Sequence, residues 1–139
     1  PLEESLHTSP FIQMSVVVGQ DEKHLSALIV PFFENIQEHL VQQGKIAKEK
    51  FEDWEKAIDL PHVKDLIQSE IKKLVNKNPD FKPFEKIKEI KILPKEFKIG
   101  EELTQTMKIK RQVIQEKYRK IINDLYGKKS EEKKDTDNK

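Results

Sequence analysis

The stretch Glu102-Leu103-Thr104-Gln105-Thr106-Met107-Lys108-Ile109-Lys110-Arg111 places one lysine, Lys108, at the mouth of what reads as a helix, behind a short, polar, strand-like approach. An ammonium there is a compact point charge on a flexible stem, suited to meeting a phosphate group brought up to it. Lys110 and Arg111 follow as a basic pair, and the hydroxyl of Thr106 is placed to cap the helix that comes next. By residue type alone Lys108 is one of 26 Lys+Arg set against 25 Asp+Glu in 139 residues, so a solvated helix-end lysine is the plainer reading until something singles it out.

Other chemistry-bearing side chains form no comparable constellation. His7, His24, His39 and His62 are scattered without metal-ligand spacing, and the absence of cysteine removes thiolate nucleophiles, disulfides and Cys-based metal sites. Asp53 and Glu55, like Glu101 and Glu102, are neighbouring carboxylates of the kind that a charge-rich surface supplies by chance, and no acid/base pair is assigned to them. Trp54 lies on an apolar face and reads as core. Phe81 and Phe84 around Pro83 read as a buried crossover into a strand rather than a binding groove.

Composition sets the frame for these residues. A chain of this length fits one small domain, and 35% hydrophobic residues bury a modest core. The formal net charge of +1 gives no global field to draw nucleic acid or an anionic membrane surface, so any phosphate binding must be local. No apolar run approaches the roughly 18 residues needed to span a bilayer, and nothing at the start reads as a signal peptide, so a cytoplasmic setting is the expectation.

The elements that would position Lys108 read as follows. Residues 2–8 form a short amphipathic helix with Leu2 and Leu6 one turn apart, closed by Ser9-Pro10. Residues 11–19 and 25–30, rich in Val, Ile and Leu, read as two strands of a hairpin whose loop is polar, residues 20–24. A helix over 33–43 stops at Gly44. A second helical stretch carries Ala47, Phe51, Trp54 and Ile58 on one face. Pro61 starts a third, whose stripe of Val63, Leu66, Ile67, Ile71, Leu74 and Val75 is the clearest 3.6-residue period in the chain and ends at Asn78-Pro79. A third strand spans 87–93, a small hairpin surrounds Gly100 over 97–104, and a last helix runs from about 108 to 125. Residues 128–139 contain no large apolar side chain and read as a disordered tail. The expected fold is a small α+β domain: a mainly antiparallel three-stranded sheet covered by helices, plus the small hairpin.

Three segments together resemble one family. The Lys108 run resembles the last core motif of the AMP-forming acyl-CoA synthetases, the adenylate-forming superfamily, in the version carried by long-chain fatty-acid CoA ligases. Ser9-Pro10-Phe11-Ile12 with Val16-Val17-Val18-Gly19-Gln20-Asp21, and Phe81-Lys82-Pro83-Phe84-Glu85-Lys86-Ile87-Lys88, resemble further parts of that family's C-terminal domain. The resemblance implies that residues 1–127 are the mobile C-terminal domain of such a ligase, with Pro1-Leu2-Glu3-Glu4-Ser5-Leu6 lying just after an interdomain hinge. It implies that Lys108 is the catalytic cation of acyl-adenylate formation, that Thr106, Lys110 and Arg111 contribute substrate contacts, and that the domain then rotates for thioester formation with CoA. ATP and CoA would be substrates of the full enzyme. Mg2+, the phosphate loop and the acyl tunnel would belong to an N-terminal adenylation domain, the principal partner, leaving this chain inactive alone and the full enzyme cytoplasmic or peripheral to a membrane. Gln105 replaces the family's usual proline, which frees φ and restores a backbone donor in the approach to Lys108; Met107 replaces the usual leucine and Gly100-Glu101 the usual Asn-Gly.

A second reading is a binding module, with Lys108, Lys110, Arg111, Lys117, Arg119 and Lys120 forming a basic helix for RNA or an acidic protein. The near-zero net charge and the lack of interleaved exposed aromatics oppose it, and nucleic acid is not the expected partner.

Overall fold

The computed structural model describes residues 1–128, so the expected tail from 128 onward lies almost wholly outside the described residues. The chain divides into two compact units, 1–96 and 97 onward.

The first unit is built on three strands, β1 (Ile12–Val18), β2 (Leu25–Pro31) and β3 (Ile87–Ile92), in the order β1-β2-β3. Strands β1 and β2 form the expected antiparallel hairpin, with Met14 opposite Val30 and Val18 opposite Ser26, and a bulge between Ile12 and Met14. Strand β3 pairs with β2 in parallel, Ala27 facing Ile90 and Ile29 facing Ile92, so the three-stranded sheet of the α+β domain is mixed. The physical reason is the connection: a parallel neighbour needs a long crossover that carries the chain back to the starting edge, and here the helices between β2 and β3 supply it. As the central strand, β2 is buried from Ser26 to Pro31, which explains its unbroken apolar run.

Those helices are α2 (Phe33–Gln42), α3 (Trp54–Ala57) and α4 (Pro61–Ile71), preceded in the chain by α1 (Leu2–Leu6). Ile36 and Leu40 of α2, Ala57 of α3, and Val63, Ile67 and Ile71 of α4 form one core with Val17, Ala27, Ile29 and Ile92 of the sheet. Val16, Val18, Leu28 and Val30 alternate with these on the other face and are buried too. Gly44 closes α2 with φ +70, the left-handed conformation expected of a C-terminal stop. The 47–58 stretch is less regular than its spacing suggests: a 3-10 turn (Lys48–Glu52) leads into the one-turn α3, which Asp53 caps by accepting the Glu55 N–H at 2.9 Å. Trp54 packs on the core as expected, edge-on to Phe33 with ring centroids 4.8 Å apart.

The end of α4 departs from the expected uninterrupted helix. Lys72–Asn76 form a π turn, marked by the Lys77 N–H donating to the Lys72 carbonyl at 2.8 Å. The Leu74 carbonyl accepts from the Ser5 hydroxyl at 2.8 Å and from the Asn78 amide at 3.1 Å. Asn76 accepts the Ile87 N–H at 2.8 Å and donates to the Ile87 carbonyl at 2.9 Å, behaving as a one-residue extension of the sheet at the start of β3. At β1, Glu3 accepts the Val17 N–H at 2.8 Å and so occupies a backbone donor that an edge strand would otherwise expose. The Phe81–Phe84 crossover is not buried as a whole: Phe81 packs against the core, whereas Phe84, in a 3-10 turn (Pro83–Glu85), is 75% exposed.

Candidate functional site

Lys108 lies in the second unit, whose described part begins with a tight turn. Gly100, at φ +90, donates to the Leu103 carbonyl at 2.8 Å, and the Leu103 N–H returns to the Lys98 carbonyl at 3.1 Å. A second turn follows at once. The Thr104 N–H donates to the Lys108 carbonyl and the Met107 N–H to the Thr104 carbonyl, both at 2.8 Å, while the Lys108 N–H donates to Thr104 Oγ1 at 3.0 Å. Leu103 bridges Ile109 in antiparallel fashion, and the Lys110 N–H donates to the Glu102 carbonyl at 2.8 Å. The hairpin expected over 97–104 therefore sits one step further along the chain, closed by Glu102 and Lys110 and centred on the turn that carries Lys108.

Two helices follow, α5 (Arg111–Lys117) and α6 (Arg119–Leu125), in place of the single helix expected from about 108. Lys108 is thus in the turn of the hairpin and not on the helix. The separation falls at Tyr118, with φ −109 and ψ 22, yet its N–H still reaches the Ile114 carbonyl and its carbonyl still accepts the Ile122 N–H, each at 2.9 Å. The change in path is confined to one residue.

The expected cap is corrected by the same geometry. Thr106 does not cap α5, whose N-cap is Lys110 with no side-chain hydrogen bond. Residues 107–110 intervene, and the Thr106 hydroxyl instead meets that of Thr104 at 3.2 Å. Thr104 fastens the turn. Met107 takes φ +65, a left-handed conformation that costs a non-glycine residue about 1–2 kcal/mol, and its side chain is 56% exposed. The outcome is an exposed Lys108 on a short, internally hydrogen-bonded turn, with no ion pair to its ammonium among the described residues. Lys110 and Arg111 stand at the hairpin's exit and the first position of α5.

The residue that reading the sequence missed is Glu102. It is only 2% exposed. One carboxylate oxygen accepts the Lys98 N–H at 2.9 Å; the other accepts from the Lys117 ammonium and, at 3.2 Å, from the Tyr118 hydroxyl. Burial favours the neutral acid, but the bonds from Lys117 and from backbone N–H groups outweigh it and hold Glu102 below the usual carboxylate range. The bond to Glu102 raises Lys117, and burial, followed by the charge of Glu102, pushes Tyr118 up to about 12. Its adjacency to Glu101 and the lack of any apolar period around it hid this role in the sequence.

The basic-helix alternative loses part of its charge here, because Lys117 is paired with Glu102 and Glu101, and Arg119 with Glu116 at 2.7 Å. Among the described residues, no group of three or more His, Cys, Asp or Glu is placed to hold a metal ion, and no helix is long and apolar enough to cross a membrane.

No family model matches the chain. Long-chain-fatty-acid–CoA ligase FadD15 of Mycobacterium tuberculosis is 31% identical over 137 residues, 91% of this chain, and so is the protein of that name in Mycobacterium bovis. The chain spans about one fifth of the length of these relatives (20%). Among solved structures, the adenylation domain of a carboxylate reductase from Mycobacterium chelonae matches 91% of this chain and 17% of its own, with a TM-score of 0.68 at 20% identity. The A-PCP didomain of a carboxylic acid reductase from Segniliparus rugosus, in complex with AMP, matches 91% of this chain and 15% of its own, with a TM-score of 0.66 at 22% identity. These likenesses establish the fold. The sequence match makes the chain a homologue of part of long-chain-fatty-acid–CoA ligase FadD15, in line with the resemblance of its Lys108 motif.

Proposed function

We propose that residues 1–127 are the mobile C-terminal domain of an ATP-dependent long-chain fatty-acid CoA ligase and that Lys108 is its catalytic cation. The observation that carries this reading is the presentation of Lys108: an exposed ammonium without an ion pair among the described residues, on a turn closed by its own hydrogen bonds, inside the motif where these ligases carry their lysine. When the carboxylate oxygen of a fatty acid attacks the α-phosphorus of ATP, negative charge builds on the phosphoryl oxygens and on the departing pyrophosphate. A positioned ammonium stabilises that charge, and removing one such preorganised donor typically costs about 100- to 1000-fold in rate. In this reading ATP, Mg2+ and the acyl chain are held by an adenylation domain outside this chain, and rotation of the present domain brings a different face to the adenylate for attack by CoA. Thr106, Lys110 and Arg111 are assigned supporting contacts to substrate phosphate or to the partner domain.

The test separates the half-reactions in the longer protein in which this chain is joined to its adenylation domain. Lys108→Ala should cripple fatty-acid-dependent ATP–pyrophosphate exchange yet leave much of the thioester formation from supplied acyl-adenylate and CoA. Lys108→Arg should also be poor, because a rigid planar fork does not reproduce the reach of an ammonium. Normal exchange in Lys108→Ala would remove the central claim. The 139-residue chain by itself should show no exchange above background.

A further inference from the structure

We propose that Glu102 is a positioning residue for Lys108, its buried carboxylate fixing the hairpin from which Lys108 is presented. The inference rests on the reading of Lys108 given above. Among the described residues, Glu102 joins three parts of the second unit: the preceding turn through the Lys98 N–H, the far side of the hairpin through Lys110, which donates to the Glu102 backbone carbonyl, and the junction of α5 and α6 through Lys117 and Tyr118. Lys108 lies between the two hairpin positions that this residue ties together.

A simple stabilising role accounts for the arrangement poorly. Burying a carboxylate carries a desolvation cost, which the bonds from Lys117 and backbone N–H groups outweigh here, yet a well-packed apolar residue often serves stability as well or better. Lys117 is 47% exposed, so solvent screens part of its attraction to Glu102. What an apolar residue cannot do is accept the Lys98 N–H while holding Tyr118 and Lys117 on its second oxygen. The gain is geometric, and it falls on the loop carrying Lys108. Preorganisation matters there because a misplacement of about 1 Å can cost about 100-fold in rate.

The experiment has two arms. In the 139-residue chain, hydrogen exchange is measured at the Thr104 and Lys110 amides for the parent, Glu102→Leu and Glu102→Gln. The expected result is exchange about tenfold faster or more in Glu102→Leu, an intermediate value in Glu102→Gln, which keeps an oxygen for Lys98, and unchanged protection in the β1–β2 ladder. In the protein joined to its adenylation domain, Glu102→Leu should slow ATP–pyrophosphate exchange about tenfold or more while leaving thioester formation from supplied adenylate within about twofold, with Glu102→Gln partly restored. A loss of general stability would depress both half-reactions together. If Glu102→Leu does not fold, the Gln variant carries both arms with the same directions. Unchanged exchange at Thr104 and Lys110, or normal adenylation by the Glu102 variants in an enzyme that Lys108→Ala inactivates, overturns the proposal. Normal adenylation by Lys108→Ala is a different result and removes the underlying reading instead.

Discussion

Thr104 and Lys108 hold each other twice: the Thr104 N–H donates to the Lys108 carbonyl at 2.8 Å, and the Lys108 N–H donates to the Thr104 hydroxyl oxygen at 3.0 Å. The second bond depends on the side chain, so the backbone of the proposed catalytic lysine is fixed by a hydroxyl four residues earlier. A net hydrogen bond of this kind is worth about 1 kcal/mol, or roughly fivefold in a rate that depends on the arrangement. Thr104→Val should slow the adenylation half-reaction by about that factor, and Thr104→Ser should stay near the parent. Equal rates for Val and Ser variants in pyrophosphate exchange would show that the hydroxyl does not contribute.

Met107 precedes Lys108 in the left-handed region, where only glycine is free of steric cost. Met107→Gly should remove about 1–2 kcal/mol of strain while adding a smaller entropic cost in the unfolded chain, for a small net gain. Met107→Ile should be clearly destabilising, because a β-branched residue is a genuine outlier at this φ. Local hydrogen exchange at the Lys108 amide reads both effects, and equal protection in Gly and Ile variants contradicts the strain argument.

The Glu102 cluster gives the second unit a pH dependence of fixed sign. Glu102 is lowered in the folded state, so its contribution is present above the unfolded carboxyl value of about 4.3 and is lost as pH falls through the folded value. Lys117 and Tyr118 are raised, so their contributions are present below their unfolded values of about 10 and are lost as pH climbs through the folded ones. Protection of the Thr104 and Lys110 amides should therefore show a plateau from about pH 5 to 10 and fall on both sides. Ultraviolet titration of a Tyr126→Phe variant isolates Tyr118, whose phenol should ionise near 12. Ionisation at the ordinary tyrosine value would mean that the hydroxyl is not held against Glu102.

How much of this was legible in the sequence depended on whether a feature is local. Strands β1 and β2 were visible in their Val and Ile content, and the face of α4 in the spacing of Val63, Ile67 and Ile71, since each pattern is set by one element's own period. The direction of β3 was hidden because it is decided by the path of the crossover and not by Ile87–Ile92 itself. The π turn at Lys72–Asn76 keeps the apolar spacing of an α-helix through Val75, so periodicity could not reveal it. Lys108 was singled out by the motif it sits in, whereas the burial of Glu102 depends on Lys98, Lys117 and Tyr118 converging from separate stretches of chain.

Asn76 offers a test of the first unit that is independent of Lys108. Its side chain supplies both bonds of a sheet register to Ile87, accepting the N–H at 2.8 Å and donating to the carbonyl at 2.9 Å. Asn76→Ala leaves both backbone groups at the start of a buried-edge strand without those partners, and an unsatisfied buried group costs about 1–3 kcal/mol. Asn76→Asp should be as damaging or worse near neutral pH, because it keeps the acceptor but sets a carboxylate against the Ile87 carbonyl in place of the donor. For a unit of this size the Ala variant should lower Tm by several degrees, roughly 4–8 °C per kcal/mol. Because the π turn brings Asn76 to β3, a variant with an unchanged Tm would mean that the sheet end is held by packing of Ile87 alone, and that the interruption of α4 has no part in seating the parallel strand.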